Sequence, residues 1–282
     1  MKYLLPALLA IFPLFTNAQI LQIDLYAGVA NYQGDLQGRR FTFEQSKPSI
    51  GLGLSYGFTP HFLVRGAAHY MTVSGDDKNN TKATGILYRN LNFTSKIWEA
   101  QLAVEYQLFN IQERSFTPYI FAGIAAFHFN PYSFDSLGTK VYLRSLSTEG
   151  QGLAAYPERK PYKNNQIAIP FGGGLKLAIS PKITVGVELG LRKLFTDYLD
   201  DVSTTYVDSA TLFAAKGAQA IEFAYRGSEI HGAPPYPAAG SQRGNPKIKD
   251  WYYTTVFRMS FNLGNNFTAG KKSKLGCPVN IY

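Results

Sequence analysis

The sequence predicts an all-β fold, an eight-stranded antiparallel barrel that crosses an outer membrane, and three observations lead there. Eight segments alternate apolar residues with small or polar ones, which is the strand period. Most run to roughly 10–14 residues, enough at a tilt near 40° to cross the roughly 25 Å apolar band of an outer membrane. The connections divide into short turns at one end and long loops at the other.

The predicted strands cover 20–31, 49–58, 62–74, 97–109, 117–130, 167–179, 183–195 and 250–263. The second is the clearest, with Ile50, Leu52, Leu54, Tyr56 and Phe58 on one face and only Gly and Ser on the other. In the fourth, Trp98, Ala100, Leu102, Val104, Tyr106 and Leu108 face lipid, against inward Glu99, Gln101, Ala103, Glu105 and Gln107. The seventh sets Ile183, Val185, Val187, Leu189 and Leu191 against Thr184, Gly186, Glu188, Gly190 and Arg192. The eighth sets Trp251, Tyr253, Thr255, Phe257, Met259, Phe261 and Leu263 against Tyr252, Thr254, Val256, Arg258, Ser260 and Asn262. The fifth is apolar on both sides, so alternation does not assign its faces. Turns at 59–61, 110–116 and 180–182 are short, whereas 32–48, 75–93, 131–166 and 196–249 are long. That asymmetry puts both termini on the short-turn, periplasmic side and requires an even strand count. Pro234-Pro235 and scattered Gly predict a mobile middle for the longest loop, with a short helix over 210–224.

Composition agrees. Aromatic residues make up 15%, with Tyr 19 and Phe 20 far above Trp 2, as expected where lipid meets headgroup water. After residue 18 there is no apolar run long enough for a membrane helix. Residues 1–18 read as a signal peptide, with Lys2, an apolar core and Thr16-Asn17-Ala18 before the cut. The barrel then occupies 19–263 and a periplasmic tail 264–282. Cys277 is the only cysteine, either an idle tail residue or one half of an intermolecular disulfide. Ligands for zinc or an iron–sulfur cluster are lacking, and no cofactor is expected. The net charge is +9, and its densest part is Lys271, Lys272 and Lys274, a solvated tail or one drawn to anionic headgroups or an acidic partner. Nucleic-acid binding does not fit an exported chain without a recognised motif.

An eight-stranded barrel is just wide enough for its own side chains. Asp24, Arg65, Glu105, Lys176, Glu188 and Arg258 all point inward, about three to five residues from the short-turn end. Three acids meeting three bases at one depth predict an ionic plug, since unpaired charge away from water is costly. Arg65–Glu105 and Glu188–Arg258 are the expected adjacent-strand pairs. Rim catalysis by His69 or His128 with an acid such as Asp76 is the enzyme reading; spacing alone does not establish it, and no catalytic residue is assigned. Asp197, Asp200, Asp201 and Asp208 lack the pattern of a calcium loop and read as loop caps. Gly172-Gly173-Gly174 lies inside a strand and relieves crowding in the wall.

Several stretches resemble one family, the PorG-like barrels of the type IX (Por) secretion system. They are Asn31-Tyr32-Gln33-Gly34-Asp35-Leu36, Phe116-Thr117-Pro118-Tyr119, Phe127-His128-Phe129-Asn130-Pro131, Thr148-Glu149-Gly150-Gln151-Gly152 and Ile169-Pro170-Phe171-Gly172-Gly173-Gly174. The run from Arg192 to Ser203, Gln242-Arg243-Gly244-Asn245-Pro246 with Asp250-Trp251-Tyr252, and Cys277-Pro278 complete the likeness. The resemblance implies a non-enzymatic outer-membrane subunit of a protein-export machine, partnered by a periplasmic ring of PorK-like and PorN-like proteins. Lys271, Lys272, Lys274 and Cys277 are then the expected partner contacts, beside outer-membrane lipid. The competing expectations are a surface-facing barrel that binds a ligand or cell-surface protein through its long loops, with Asp200 and Asp201 involved, and, third, a rim enzyme.

Overall fold

A computed structural model describes residues 20–39, 41–79 and 84–263. The signal peptide at 1–18 and the contacts expected of Lys271, Lys272, Lys274 and Cys277 lie outside the described residues. Eight long strands form the barrel: β1 (Ile20–Gln33), β2 (Lys47–Gly57), β3 (Phe62–Asp76), β4 (Asn92–Gln107), β5 (Phe116–His128), β8 (Asn165–Ala178), β9 (Ile183–Leu194) and β10 (Trp251–Asn262). All neighbours are antiparallel, and pairing of β3 with β4 closes the ring β1–β2–β3–β4–β5–β8–β9–β10. The short hairpin of β6 (Pro131–Phe134) and β7 (Lys140–Tyr142) extends the edge of β4 through Thr94↔Tyr132 and Ser95↔Pro131. Among the described residues no helix is long and apolar enough to cross a membrane.

The alternation in the sequence becomes the two faces of the wall. Leu52, Leu102 and Val187 are 57%, 54% and 53% exposed on the outside, while Glu99, Gln101 and Glu105 are buried within. On β5, where the pattern was mute, Ile120 and Ile124 face out and Tyr119, Phe121 and Phe127 face in. Ladder lapses have a local cause: between Ala122↔Phe171 and Ala125↔Ala168, Pro170 has no amide to donate. Aromatic side chains gather at both edges of the apolar belt. Phe62 and Tyr106 pack together near the short turns, and Tyr70 against Trp98 near the long loops, at ring distances of 5.0 and 4.6 Å. Tyr106 and Trp98 lie eight residues apart on β4, about 20 Å along the axis at 3.3 Å per residue and a 40° tilt.

The loops depart most from expectation. In the longest loop the stretch up to Gly227 is packed, whereas 228–242, around Pro234-Pro235, contains no buried residue. Two helices, α2 (Ser209–Lys216) and α3 (Ala218–Ala224), stand where one was expected, broken at Gly217, whose φ is +80°. Asp208 caps the first through Thr211 N at 2.8 Å. An earlier one-and-a-half-turn helix, α1 (Thr84–Arg89), lies between β3 and β4. Buried Leu212, Ala220 and Phe223 continue into Leu146, Leu199 and Val202, and these into Met71, Ile97, Phe127 and Leu194 of the barrel. Burying that much apolar surface is what holds a fifty-residue loop in place; the cap and the upper lumen share one core.

Candidate functional site in the lumen and its cap

Asp24, Arg65, Glu105, Lys176, Glu188 and Arg258 meet in one cluster, each at most 3% exposed. The expected adjacent-strand pairs are its weakest links: Arg65 lies 3.4 Å from Glu105, and Arg258 lies 3.9 Å from Glu188. The strong bonds cross the lumen. Arg65 on β3 grips Glu188 on β9 with both nitrogens, at 2.6 and 3.0 Å. Arg258 on β10 donates to Glu105 on β4 at 2.6 Å. In the ring of eight, β3 stands opposite β9 and β4 opposite β10, so two diameters cross. The bore is narrow enough for a long side chain to reach the far wall, and a bidentate guanidinium–carboxylate fork outcompetes a diagonal contact with the neighbouring strand.

The remaining valences are filled locally. Lys176 donates to Glu105, as does Gln107 at 3.1 Å. Asp24 accepts from Arg258, Ser260 and Ser55, and Glu188 from Tyr119 at 2.8 Å. Three acids against three bases leave the cluster neutral. The glycines of β8 admit it: Gly174 and Gly172 are paired with Tyr119 and Phe121, and a Cβ at either would strike first a β9 carbonyl, of Val187 or Leu189, and then crowd the ring. One layer higher is a bridge that alternation pointed inward without pairing. Arg192 forks onto Glu99 at 3.0 and 3.2 Å, and Tyr252 donates to the same carboxylate at 2.5 Å.

Above the lumen, Glu149 is the centre of the cap. It is fully buried and accepts from the amides of Ser203 and Thr204 at 2.9 and 3.0 Å, from Thr204 Oγ1 at 2.6 Å and from Arg243 at 3.0 Å. Arg243 donates on to the carbonyl of Asp201 at 2.6 Å. Asp77 holds Arg89 at 2.6 and 2.8 Å, and Arg89 reaches back to the Asp35 and Arg243 carbonyls. None of these partners was legible beforehand, because they sit 12 to 154 residues apart.

The aspartates read as loop caps divide. Asp208 caps a helix, whereas Asp200 and Asp250 sit together on Tyr32 Oη at 2.5 and 3.2 Å. Burial, then the charge of Asp35 on Asp200 and of Asp200 on Asp250, raises both carboxyls well above the ordinary range. Burial likewise pushes Asp197 up to about 7 and Asp201 up to about 6. Among the described residues no three His, Cys, Asp or Glu side chains are arranged to hold a metal ion. An acid whose pKa is higher folded than unfolded binds extra protons in the folded state. Its stabilising contribution is therefore present at low pH and lost as pH rises, here from the unfolded value near 4 up through about 7. Amide exchange over residues 196–206, corrected for intrinsic rate, should be slower at pH 5 than at pH 8, and Asp197→Asn should shrink the difference. Equal protection at both pH values would contradict the assignment.

The residues considered for rim catalysis do not assemble. His69 faces the lumen against Tyr26 at a ring distance of 5.0 Å; Asp76, an odd number of residues further on, faces the other way. His128 is on the outer wall, bonded to Asn165 Oδ1 at 2.7 Å.

A lipid-facing apolar belt around a neutral, ion-paired interior defines an outer-membrane β-barrel of eight strands. The chain belongs to the family described as "Domain of unknown function (DUF6089)", which matches residues 2–213. Similar solved structures include Ail of Yersinia pestis in complex with the heparin analogue sucrose octasulfate, 8% identical over 86% of this chain and 97% of that one, TM-score 0.40. A major outer membrane protein from Thermus thermophilus is 10% identical over 87% and 100%, TM-score 0.43. OprG from Pseudomonas aeruginosa is 14% identical over 86% and 96%, TM-score 0.42. No curated protein matches the chain.

Proposed function

We propose that the protein is a non-conducting, non-enzymatic barrel of a Gram-negative outer membrane, with periplasmic termini, that anchors a periplasmic ring of a type IX secretion machine. One observation carries the first half: two ion pairs cross the full diameter of the lumen, so nothing passes and the work is done at the surfaces. The second half rests on resemblance. The stretches resembling PorG-like sequences supply the cap's own bonds: Glu149 with Ser203 and Arg243, Tyr32 with Asp200 and Asp250, and Asp35 Oδ2 with the Asn245 amide at 2.8 Å. In this chain they act as one folded unit.

Lys271, Lys272, Lys274 and Cys277 are the partner contacts in this reading, through charge and, for Cys277, an intermolecular disulfide. Deleting 271–282 should abolish co-purification of PorK-like and PorN-like proteins while leaving a heat-modifiable barrel. Unchanged co-purification would remove the tail from the mechanism, and identical gel mobility with and without reductant would reject the disulfide.

A second reading has its own observation. The cap holds an open cavity of about 400 Å³ walled by Tyr88, Tyr206, Tyr225 and Pro237, with Asp35 and Arg89 among its polar groups. Clustered rings, with Tyr206 edge-on to Tyr225, beside a few fixed polar groups suit a small surface ligand. A cell-surface binding activity lost in Tyr88→Ala, with the periplasmic ring still attached, would favour it.

A further inference from the structure

The outer wall is not uniformly convex. Near the long loops an open groove of about 910 Å³ runs over the membrane-facing side of β4, β5 and β8. Its apolar part is Trp98, Ala100, Ala126, Ile167 and Phe195. All five are exposed. Its upper edge is polar, with Lys163, Asn165 and His128. A second hollow of about 190 Å³ continues from it, sharing Trp98 and His128 and adding Lys96, Lys140 and Tyr142.

The exposed charges here are one-signed; Glu99 also borders the groove, but it is buried and its carboxylate is held in the lumen by Arg192 and Tyr252. Lys96, Lys140 and Lys163 are all exposed, and none ion-pairs with a carboxylate among the described residues. Lys140 instead lies 3.8 Å over the Tyr132 ring and bonds Tyr142 Oη at 3.0 Å. The hairpin's own acid, Asp135, spends Oδ1 on the amides of Leu137 and Thr139. Inside the lumen the cations are closely paired, as Arg65, Lys176, Arg192 and Arg258 all have carboxylate partners, whereas exposed lysines such as Lys182 and Lys216 have none among the described residues. What sets Lys96, Lys140 and Lys163 apart is position: together they edge one apolar groove at the membrane's rim, where an anionic headgroup on an apolar body fits.

We infer that this groove binds a phosphorylated glycolipid of the outer leaflet, its acyl chains against Trp98, Ile167 and Phe195 and its phosphates on Lys96, Lys140 and Lys163. A free phosphate would leave the apolar part unused. A lipid with one phosphate would leave lysines unanswered, since the three come from different segments: β4, the β6–β7 hairpin and the approach to β8. The exposed rings beside the lysines, Trp98 and Tyr142, offer surface to sugar, as aromatic groups do at membrane interfaces.

The test is lipid retention by the full-length protein in detergent, read by native mass spectrometry with bisphosphorylated lipid A as the probe. The triple variant Lys96→Gln, Lys140→Gln, Lys163→Gln should weaken retention by roughly tenfold or more, and Ala100→Trp, which fills the groove, should do so without changing charge. Lys182→Gln, in a short turn at the other end, should behave as wild type. Heat-modifiability on a gel confirms that each variant is folded. Equal retention of dephosphorylated lipid A would overturn the role of the lysines, and equal retention of phosphatidylglycerol would reduce the groove to ordinary annular contact. Pyrophosphate competing as well as lipid A would overturn the role of the apolar part. Wild-type binding by both groove variants would overturn the site itself, leaving the anchoring role to be judged by co-purification.

Discussion

Arg65→Met is expected to destabilise the barrel by about 3–5 kcal/mol, the cost of stranding a buried carboxylate. Its partner Glu188 would keep the Tyr119 hydroxyl and only a long 3.9 Å contact with Arg258, whereas the neighbouring Glu105 would still have Arg258, Lys176 and Gln107. The double variant Arg65→Met, Glu188→Gln removes both charges and should recover much of the loss. That contrast isolates charge from packing, because Arg65 also lies 3.7 Å over the Phe121 ring and its truncation loses that contact in both variants. Reversible urea unfolding in lipid vesicles is the measurement, followed by the fluorescence of Trp98 and Trp251, one on the outer wall and one at its rim. A cost of under about 1 kcal/mol for the single variant would mean that water reaches the cluster and screens it, and the sealed-lumen reading would fall with it.

Glu149→Ala should release the cap and spare the barrel. The substitution removes the close counter-charge of Arg243, leaving it Asp201 Oδ2 at 4.0 Å and two carbonyls, and leaves two loop amides, of Ser203 and Thr204, without their acceptor. Losing a buried ion pair's partner costs about 3–5 kcal/mol, which is large against the local stability of a loop and small against a closed ring of eight strands. Added protease should cut within 143–163 and 196–249, where wild type resists, and the product should still run as a heat-modifiable barrel. Arg243→Met should do the same, for the same reason from the other side. Loss of heat-modifiability together with the cap would show that the two are one cooperative unit, as their shared core through Leu199, Val202 and Phe127 permits.

The wall was readable before the structure because a pleat is decided residue by residue. Ile50, Leu52 and Leu54 could not all lie on one face unless 49–57 was extended, and a period of two needs no knowledge of neighbours. The same parity turned Asp24, Glu105 and Arg258 inward, and also Glu99 and Arg192, whose bridge went unpaired. What parity withholds is azimuth. Choosing Glu188 for Arg65, over the nearer-strand Glu105, depends on how the tilted ring closes and how wide the bore is.

The loops mark the other limit. Pro234, Pro235 and their glycines suggested a mobile segment, and locally nothing contradicts that; Gly217 does break the helix expected there. The order arises from Glu149, Arg243, Asp77 and Arg89, which are strangers in the chain and meet only once β4, β5 and β10 have carried their ends to one rim. The sequence by itself determined the eight strands, the faces of those that alternate (the fifth does not) and the end on which the long loops sit, since these follow from alternation and length. Only the tertiary structure decided which charges cross the lumen, that the cap is solid, and where the outer wall hollows beneath three exposed lysines, because each depends on distances between strands that no single segment encodes.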